Sequence, residues 1–404
     1  MTAFESYFLN KEFVWKPGLE RIKKAVASLD FSFPPSVIVA GTNGKGSTSS
    51  FIASILKAHG VRTGLFTSPH LLEFNERFRI DLEPVDTGLL DRAFLNLLPV
   101  IEENSLTYFE AAFLLSLYLF KDCDFVVYEV GLGGRLDATN SIEHNLAVIT
   151  HIDYDHKDYL GETIEEIATE KLHVVKNRIP VVISQNRKVV FDIATEFTDE
   201  IYAFGSDFNV FSVRVTSEGT KGIYSDKEIT FPFNLSVYGK HQAINAATGI
   251  FTAKKVLKEL LCLKVDISKI KGAVSSVTIP GRFEILRRKP FFIVDVAHNI
   301  DAVGRFVETL GMLGISVDIV YSGLKDKDFN AIFKLFKSYT DEAGTELFLV
   351  PIKNPRGFSY KELKEKYGKE ATVLESLKGE VLKKDVAVVG SFYLISDVLN
   401  GNFK

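Results

Sequence analysis

Short apolar runs rich in β-branched residues recur along the chain at Val37–Ala40, Thr63–Phe66, Phe125–Val130, Leu146–His151 and Val181–Ser184, with helical patterns between them. Runs of this length with few polar interruptions predict strands buried on both faces, and their alternation with helices predicts a mainly parallel sheet. Beyond Ser47, residues Phe51, Ile52, Ile55 and Leu56 share one helical face, and Gly60 stands where a C-terminal cap is expected. From Tyr202 to Leu235 the pattern turns polar and alternating, which predicts an antiparallel hairpin extension, followed by a helix from about Gln242 to Lys258. Pro280-Gly281-Arg282 breaks the pattern, and strand and helix then alternate again through Phe291–Asp295, Val317–Tyr321, Leu347–Pro351 and Val386–Gly390. The expectation is an α/β chain of two domains, residues 1–284 and a smaller 285–404.

Composition narrows the partners. Of 404 residues, 46% are hydrophobic and 25% charged, as in a globular protein with ample core, and no run of about 18 apolar residues marks a membrane span. A formal net charge of −4 without any polybasic block argues against nucleic acid. The N-terminus has neither the basic nor the apolar region of a signal peptide, so a cytoplasmic protein acting on small molecules is expected, without membrane partners. Cys123 and Cys262 sit among large apolar residues and read as buried free thiols.

The strongest chemical signal follows the first strand: Gly41-Thr42-Asn43-Gly44-Lys45-Gly46-Ser47-Thr48. A glycine loop between strand and helix turns backbone N–H groups toward an anion, Lys45 adds a point charge, and the helix start adds its partial positive charge. A nucleoside triphosphate fits. The order Gly44-Lys45-Gly46-Ser47 places a glycine between the lysine and the hydroxyl residue, so the loop is a variant of the G-x-x-x-x-G-K-[ST] pattern.

Ligands of open α/β sheets bind outside the carboxyl ends of the strands, where Thr67-Ser68-Pro69-His70, Glu129, Asp153, Asp155 and His156 also fall. Glu129 ends an apolar strand and needs a cation or strong donors in place of water; a magnesium ion shared with Ser68 and an ion pair with Arg135 are the two readings. Thr163 and Glu166 form a capping-box pattern that starts a helix whose stripe is Ile164, Ile167, Ala168, Leu172 and Val175, and Lys171 falls within that stripe. Such a lysine snorkels to the surface, pairs with a buried acid, or has been converted to something other than an ammonium.

With these residues goes a set of motifs: Gly41 to Ser47, Phe66-Thr67-Ser68-Pro69-His70-Leu71, Phe74-Asn75-Glu76-Arg77, the run from Glu129 to Asn140, Asp155-His156, Glu170-Lys171, Pro280-Gly281-Arg282-Phe283 and Asp295-Val296-Ala297-His298-Asn299. In this order they resemble the folylpolyglutamate synthase/dihydrofolate synthase family of the Mur ligase superfamily, over nearly the whole chain. The resemblance implies a P-loop-type, mainly parallel ATPase domain followed by a smaller Rossmann-like α/β glutamate-ligase domain. It implies that Thr42, Asn43, Gly44, Lys45, Gly46 and Ser47 hold ATP phosphates, with Asn245, Arg282 and Asp295 as further ATP contacts. It implies that Ser68, Glu129 and His156 bind Mg²⁺ and that Lys171 is carbamylated, serving a second metal. Trp15, Lys16 and Pro17, then Thr107, Tyr108, Phe109 and Glu110, then Leu136, Asp137 and Ala138 match segments that line the pterin-side pocket. Trp15-Lys16-Pro17 departs from the family's usual sequence there, and Glu170-Lys171-Leu172-His173 departs from Glu-Lys-Ala-Gly while keeping the lysine.

The implied reaction transfers the ATP γ-phosphoryl group to the carboxylate of dihydropteroate or a folate and lets L-glutamate displace phosphate. Alignment and charge neutralisation carry most of such catalysis. His298 is expected to bind glutamate or orient its amine, or else to cap a helix or stabilise its loop. A monomer is expected. Two rivals stand beside this reading. A Mur-type cell-wall ligase would carry a further N-terminal domain, whereas only a short segment precedes Val37, and a nucleotide switch would leave Lys171 without a purpose.

Overall fold

The computed structural model describes residues 1–9, 16–185, 187–325, 328–352, 354–377 and 379–401. They form two compact units: Met1–Ser212 with Gly222–Phe233 and Ala243–Val277, and Val213–Lys221 with Asn234–Gln242 and Thr278–Lys404.

The first unit is built on an eight-stranded sheet of β1 (Ser36–Ala40), β2 (Thr63–Phe66), β3 (Phe78–Ile80), β4 (Glu83–Pro84), β5 (Phe125–Glu129), β6 (Leu146–Ile149), β7 (Val181–Ile183) and β8 (Ile201–Ala203). Its order is β4-β3-β2-β5-β1-β6-β7-β8. β1 and β5 are buried along their whole length, which is why their sequences are continuous apolar runs without alternation. One face packs a phenylalanine-rich core that includes Phe66, Phe78, Phe113 and Tyr128, and the other an aliphatic core of Ile38, Ile149, Ile167 and Val181. Register sets the carboxyl edge: Val39 lies opposite Glu129, Phe66 opposite Tyr128, and Ala40 opposite Ile149. The loops after β1, β2, β5 and β6 therefore leave the sheet side by side.

The expected strands and helices are present with small shifts. At one side of the sheet β3 and the edge strand β4 run antiparallel to their neighbours, so the sheet is parallel only from β2 to β8. The helix after the loop starts at Lys45 and ends at Ala58, with Gly60 at φ +86° two residues beyond. The predicted hairpin region supplies β8 and then a three-stranded sheet of β9 (Phe208–Thr216), β10 (Gly219–Asp226) and β11 (Thr230–Leu235), ordered β11-β10-β9. The helix expected over 242–258 spans Lys240–Lys255 and continues as a π-turn over Val256–Leu260. Among the elements not foreseen are the short strands β3 and β4 and a helix over Ala3–Phe8 capped reciprocally by Thr2 and Glu5, whose Phe4 stacks on Phe74 at 4.2 Å between ring centroids. One expectation is overturned: Cys123 is buried but Cys262 is exposed. The apolar run around Cys262 follows the end of the π-turn, where the chain leaves the core and Leu260 and Leu263 are exposed as well.

The second unit carries a six-stranded sheet of β12 (Glu284–Arg288), β13 (Phe291–Asp295), β14 (Asp318–Ser322), β15 (Leu347–Leu349), β16 (Thr372–Val373) and β17 (Val386–Gly390), ordered β12-β13-β17-β14-β15-β16. β12 pairs antiparallel with β13, and the rest of the sheet is parallel. No described helix is long and apolar enough to cross a membrane.

Candidate active site

The loop between β1 and its helix is framed from both sides. The N–H groups of Thr42 and Asn43 donate to the carbonyl of His151 after β6, at 2.8 and 3.2 Å. Thr42 Oγ1 donates to the Asp153 carbonyl at 2.9 Å and accepts from the Asp153 N–H at 3.1 Å. Gly44 caps the helix at φ +92°, and a Cβ there would stand 2.5 Å from Asn245 Oδ1, so only glycine fits beside that amide. Lys45, Gly46 and Ser47 form the first turn of the helix, where the backbone N–H groups point out of the helix start and favour an anion.

Two lysines meet on this loop. Lys45 Nζ folds back to donate to the carbonyls of Gly41 and Thr42 at 3.1 and 3.2 Å. Lys171 lies on the helix Ile164–Leu172, started by the reciprocal Thr163–Glu166 cap, and its Nζ donates to the same Gly41 carbonyl at 2.9 Å. The side chain is 3% exposed, which rules out the snorkelling alternative. Burial, and then the charge of Lys45, push its amine down to about 7 against the opposing pull of Asp155 and Glu170.

Glu129, at the end of β5, is 5% exposed, accepts from the Ser68 N–H at 3.0 Å, and would lie 3.3 Å from a Cβ placed on Gly46. The alternative pair with Arg135 is absent; Arg135 Nε donates to Glu170 Oε2 at 2.9 Å instead. His156 takes φ +49°, its N–H donates to Asp155 Oδ1 at 2.9 Å, and its Nε2 lies 3.8 Å from Asp155 Oδ2. Lys45, Ser68, Glu129 and Lys171 thus converge on the phosphate loop, with His156 tied to Asp155, the acid whose charge is felt by Lys171.

A cavity of about 400 Å³ opens in the same unit, lined in part by Lys16, Ser68, Thr107, Phe109, Glu110, Leu136, Asp137 and Ala138. Most of the predicted pterin-side residues are therefore together. Pro17 and Tyr108 do not line the cavity: Pro17 is exposed, and Tyr108 turns its ring into the cluster of Phe4, Phe8 and Phe74. Trp15 falls outside the described residues. Asp137 is held by the N–H groups of Gly131, Leu132 and Thr139 and by the Thr139 hydroxyl, yet burial still raises its carboxyl. Glu110 caps its own helix with Thr107 and accepts from Arg21 at 2.9 Å. The sequence did not single out Arg77, Arg135, Tyr159, Leu160 or Glu170 as lining residues. Arg77, Arg135 and Glu170 lay within quoted motifs, so motif membership was the available signal for them, whereas Tyr159 and Leu160 follow Asp155-His156 by three and four residues and carried none.

In the second unit Asp295 ends β13 and accepts from the N–H groups of Phe283 and Ala297 at 2.7 Å each. Burial lifts its carboxyl to about 6 although the charge of Arg282 and both donors oppose the rise. The Arg282 guanidinium stands 5.5 Å from the Phe392 ring centroid. His298 donates from Nδ1 to the Val296 carbonyl at 2.9 Å, and capping of the next helix falls to Asn299, whose Oδ1 accepts from the Ala302 N–H.

Comparison with known proteins agrees with this arrangement. The Mur ligase middle domain matches residues 39–253. A dihydrofolate synthase/folylpolyglutamate synthase of Haemophilus influenzae is 35% identical, over 94% of this chain and 92% of its own. Among solved structures, Escherichia coli FolC in complex with DHPP and ADP superposes with a TM-score of 0.85 at 29% identity, covering 99% of this chain and 97% of that one. A bifunctional folylpolyglutamate synthase/dihydrofolate synthase with Mn, AMPPNP and L-glutamate bound does so with a TM-score of 0.84 at 30% identity, over 99% and 98% of the two chains. A phosphate loop flanked by a buried carboxylate and a buried lysine, on a chain matched almost end to end, places this protein in the dihydrofolate synthase/folylpolyglutamate synthase family of Mur ligases.

Proposed function

We propose that this protein is an ATP-dependent ligase that joins L-glutamate to dihydropteroate, to the γ-carboxylate of a folate, or to both. A carboxylate oxygen of the acceptor attacks the γ-phosphorus of ATP, the bond to ADP breaks, and an acyl phosphate forms. The glutamate amine then attacks the acyl carbon, phosphate leaves, and the amine gives up a proton. The observation that carries this reading is the meeting of Lys45, Lys171 and Glu129, from three distant segments, on one loop at the carboxyl edge of the sheet.

In this reading the N–H groups of Lys45, Gly46 and Ser47 cradle the phosphates, Thr42 and Asn43 hold the loop in place, and Asn245, Arg282 and Asp295 are further nucleotide contacts. The cavity residues Lys16, Thr107, Phe109, Glu110, Leu136, Asp137 and Ala138 take the pterin side, and His298 serves glutamate. Residues 1–284 supply the nucleotide-binding part and 285–404 the glutamate-ligase part. The donor set suits Mg²⁺, since a buried carboxylate and a serine hydroxyl are hard oxygen ligands beside donors aimed at phosphate. Ser68, Glu129 and His156 would hold it, and bound there it would neutralise charge on the phosphate oxygens.

Lys171 suits carbamylation. An amine brought down to about 7 is largely neutral at physiological pH and therefore nucleophilic toward CO₂. Carbamylation would turn its repulsion with Lys45 into attraction, and the resulting anion beside Asp155 and Glu170 calls for a second cation. A formal charge of −4 supports small-molecule partners over nucleic acid, and we read the protein as a cytoplasmic monomer without membrane partners.

The decisive measurement is phosphate release from ATP by the purified protein with dihydropteroate, tetrahydrofolate or a UDP-muramyl substrate, each with and without L-glutamate. Glutamate-dependent release with a pteroate compound is expected. Stimulation by the muramyl substrate alone would overturn the assignment.

A further inference from the structure

Arg135 is held at one end and open at the other. Its N–H donates to the Glu170 carbonyl at 3.1 Å, and its own carbonyl accepts from Asn140 Nδ2 at 3.2 Å, so the backbone is fixed against the lysine-bearing helix. Nε donates to Glu170 Oε2. No other hydrogen bond or ion pair engages the guanidinium among the described residues, and the side chain is 55% exposed while lining the cavity. The two Nη groups therefore have no acceptor among the described residues, and the bond at Nε fixes the plane of a guanidinium that belongs to the cavity lining.

The other cations of the cavity differ. Arg77 is 8% exposed, donates from Nε to His70 Nδ1 at 2.8 Å, and lies over the rings of Phe74 and Tyr108. Lys16 is exposed and carries a single point charge without a planar fork of donors. Position distinguishes Arg135 further. Its partner Glu170 precedes Lys171, whose Nζ reaches Gly41 of the phosphate loop. Arg135 is thus linked, through Glu170 and the neighbouring Lys171, to the loop on which the nucleotide phosphates are proposed to bind, and this link relates it to the reacting end of a substrate.

A planar cation with a free pair of donors recognises a carboxylate bidentately. The two acceptor classes differ at that point. Dihydropteroate ends in one carboxylate, the one that reacts, whereas a folate already bearing glutamate ends in two, a reacting γ-carboxylate and a spectator α-carboxylate. We propose that Arg135 is a specificity-determining residue that grips the spectator α-carboxylate of glutamylated substrates and so presents the γ-carboxylate for phosphoryl transfer. This deepens the function proposed above and rests on it.

The test compares kcat/KM for tetrahydrofolate, its α-carboxamide and dihydropteroate in the unchanged protein, Arg135→Met and Arg135→Lys. The unchanged protein is expected to prefer tetrahydrofolate over the α-carboxamide. In Arg135→Met that preference should fall about 20-fold, the size of a lost charge-assisted pair, through KM more than kcat. Arg135→Lys, which keeps the charge but not the fork, should fall in between. The ratio with dihydropteroate as reference should move the same way. Three results would overturn the inference: no preference in the unchanged protein, a preference that survives Arg135→Met, or an equal loss on all three acceptors. The last would mean that Arg135 only braces Glu170 or binds the reacting carboxylate. Failure of the unchanged protein to ligate glutamate to any of the three overturns the underlying function as well, so the two failures are distinguishable.

Discussion

Lys171 Nζ lies 2.9 Å from the carbonyl oxygen of Gly41, a residue 130 positions earlier in the chain. Lys45 Nζ reaches the same oxygen at 3.1 Å. Two amines that share a buried carbonyl repel one another, and burial together with the charge of Lys45 favours the neutral form of Lys171.

Replacing Lys171 by methionine should lower turnover by about 10²–10³-fold, the range for removing one preorganised electrostatic group, and bicarbonate should not restore it. In the unchanged protein, CO₂-depleted buffer should lower activity and bicarbonate should recover it. Between its folded value of about 7 and its ordinary 10.5 the amine binds more protons when unfolded, so stability should rise with pH across that window. Urea midpoints at pH 7 and 10 in both proteins test this: the methionine variant should lose that part of the rise, and identical slopes would count against a buried neutral amine.

Gly134 admits no side chain. A Cβ there would lie 2.8 Å from the carbonyl oxygens of Glu170 and Lys171 and 2.9 Å from Lys171 Cα, all backbone atoms of the helix that carries the lysine. Gly134→Ala should cost about 1–3 kcal/mol by overpacking and displace Lys171 from Gly41. Chemical denaturation together with ligase rates reads both effects; a variant as active and stable as the parent would show that the helix yields freely.

Arg77 Nε donates to His70 Nδ1, which requires an unprotonated acceptor nitrogen, and burial followed by the charge of Arg77 brings the imidazole down to about 4. The unfolded chain takes up that proton near 6.5, so stability should fall as pH drops from 6.5 toward 4. His70→Gln keeps an acceptor and should flatten this part of the profile. His70→Leu leaves a buried donor unsatisfied and should cost about 1–3 kcal/mol at neutral pH. Equal stability of the two variants at pH 7 would remove the bond from the account.

Glu129→Gln retains a carbonyl oxygen for the Ser68 N–H but loses the charge. Folding stability should change by no more than about 1 kcal/mol, while turnover falls about 10²–10³-fold and the requirement for divalent cation shifts to higher concentration. A magnesium titration of ATP-dependent phosphate release, run on both proteins, would expose an unaltered cation dependence and with it a purely structural carboxylate.

Much of this protein was legible in its residues taken in order. Strands buried on both faces need unbroken apolar runs, and Thr63–Phe66, Phe291–Asp295 and Val386–Gly390 are found where those runs lie. The glycine loop and the Thr163–Glu166 cap are local backbone chemistry, complete within a few residues, and they too were readable. Partner choice was not. The periodicity that put Lys171 on an apolar stripe could not distinguish snorkelling from burial, because that depends on where β1 ends relative to the helix packed beside it. Arg135 was readable as a partner for Glu129 and is bonded to Glu170, since the register of Val39 against Glu129 turns that carboxylate toward Gly46 and Ser68. Tyr108 directed into the aromatic cluster and Cys262 left exposed are decisions of the same kind. Sequence pattern encodes which backbone forms and which face is apolar; which polar groups meet depends on parallel strands far apart in the chain, and only their packing decides it.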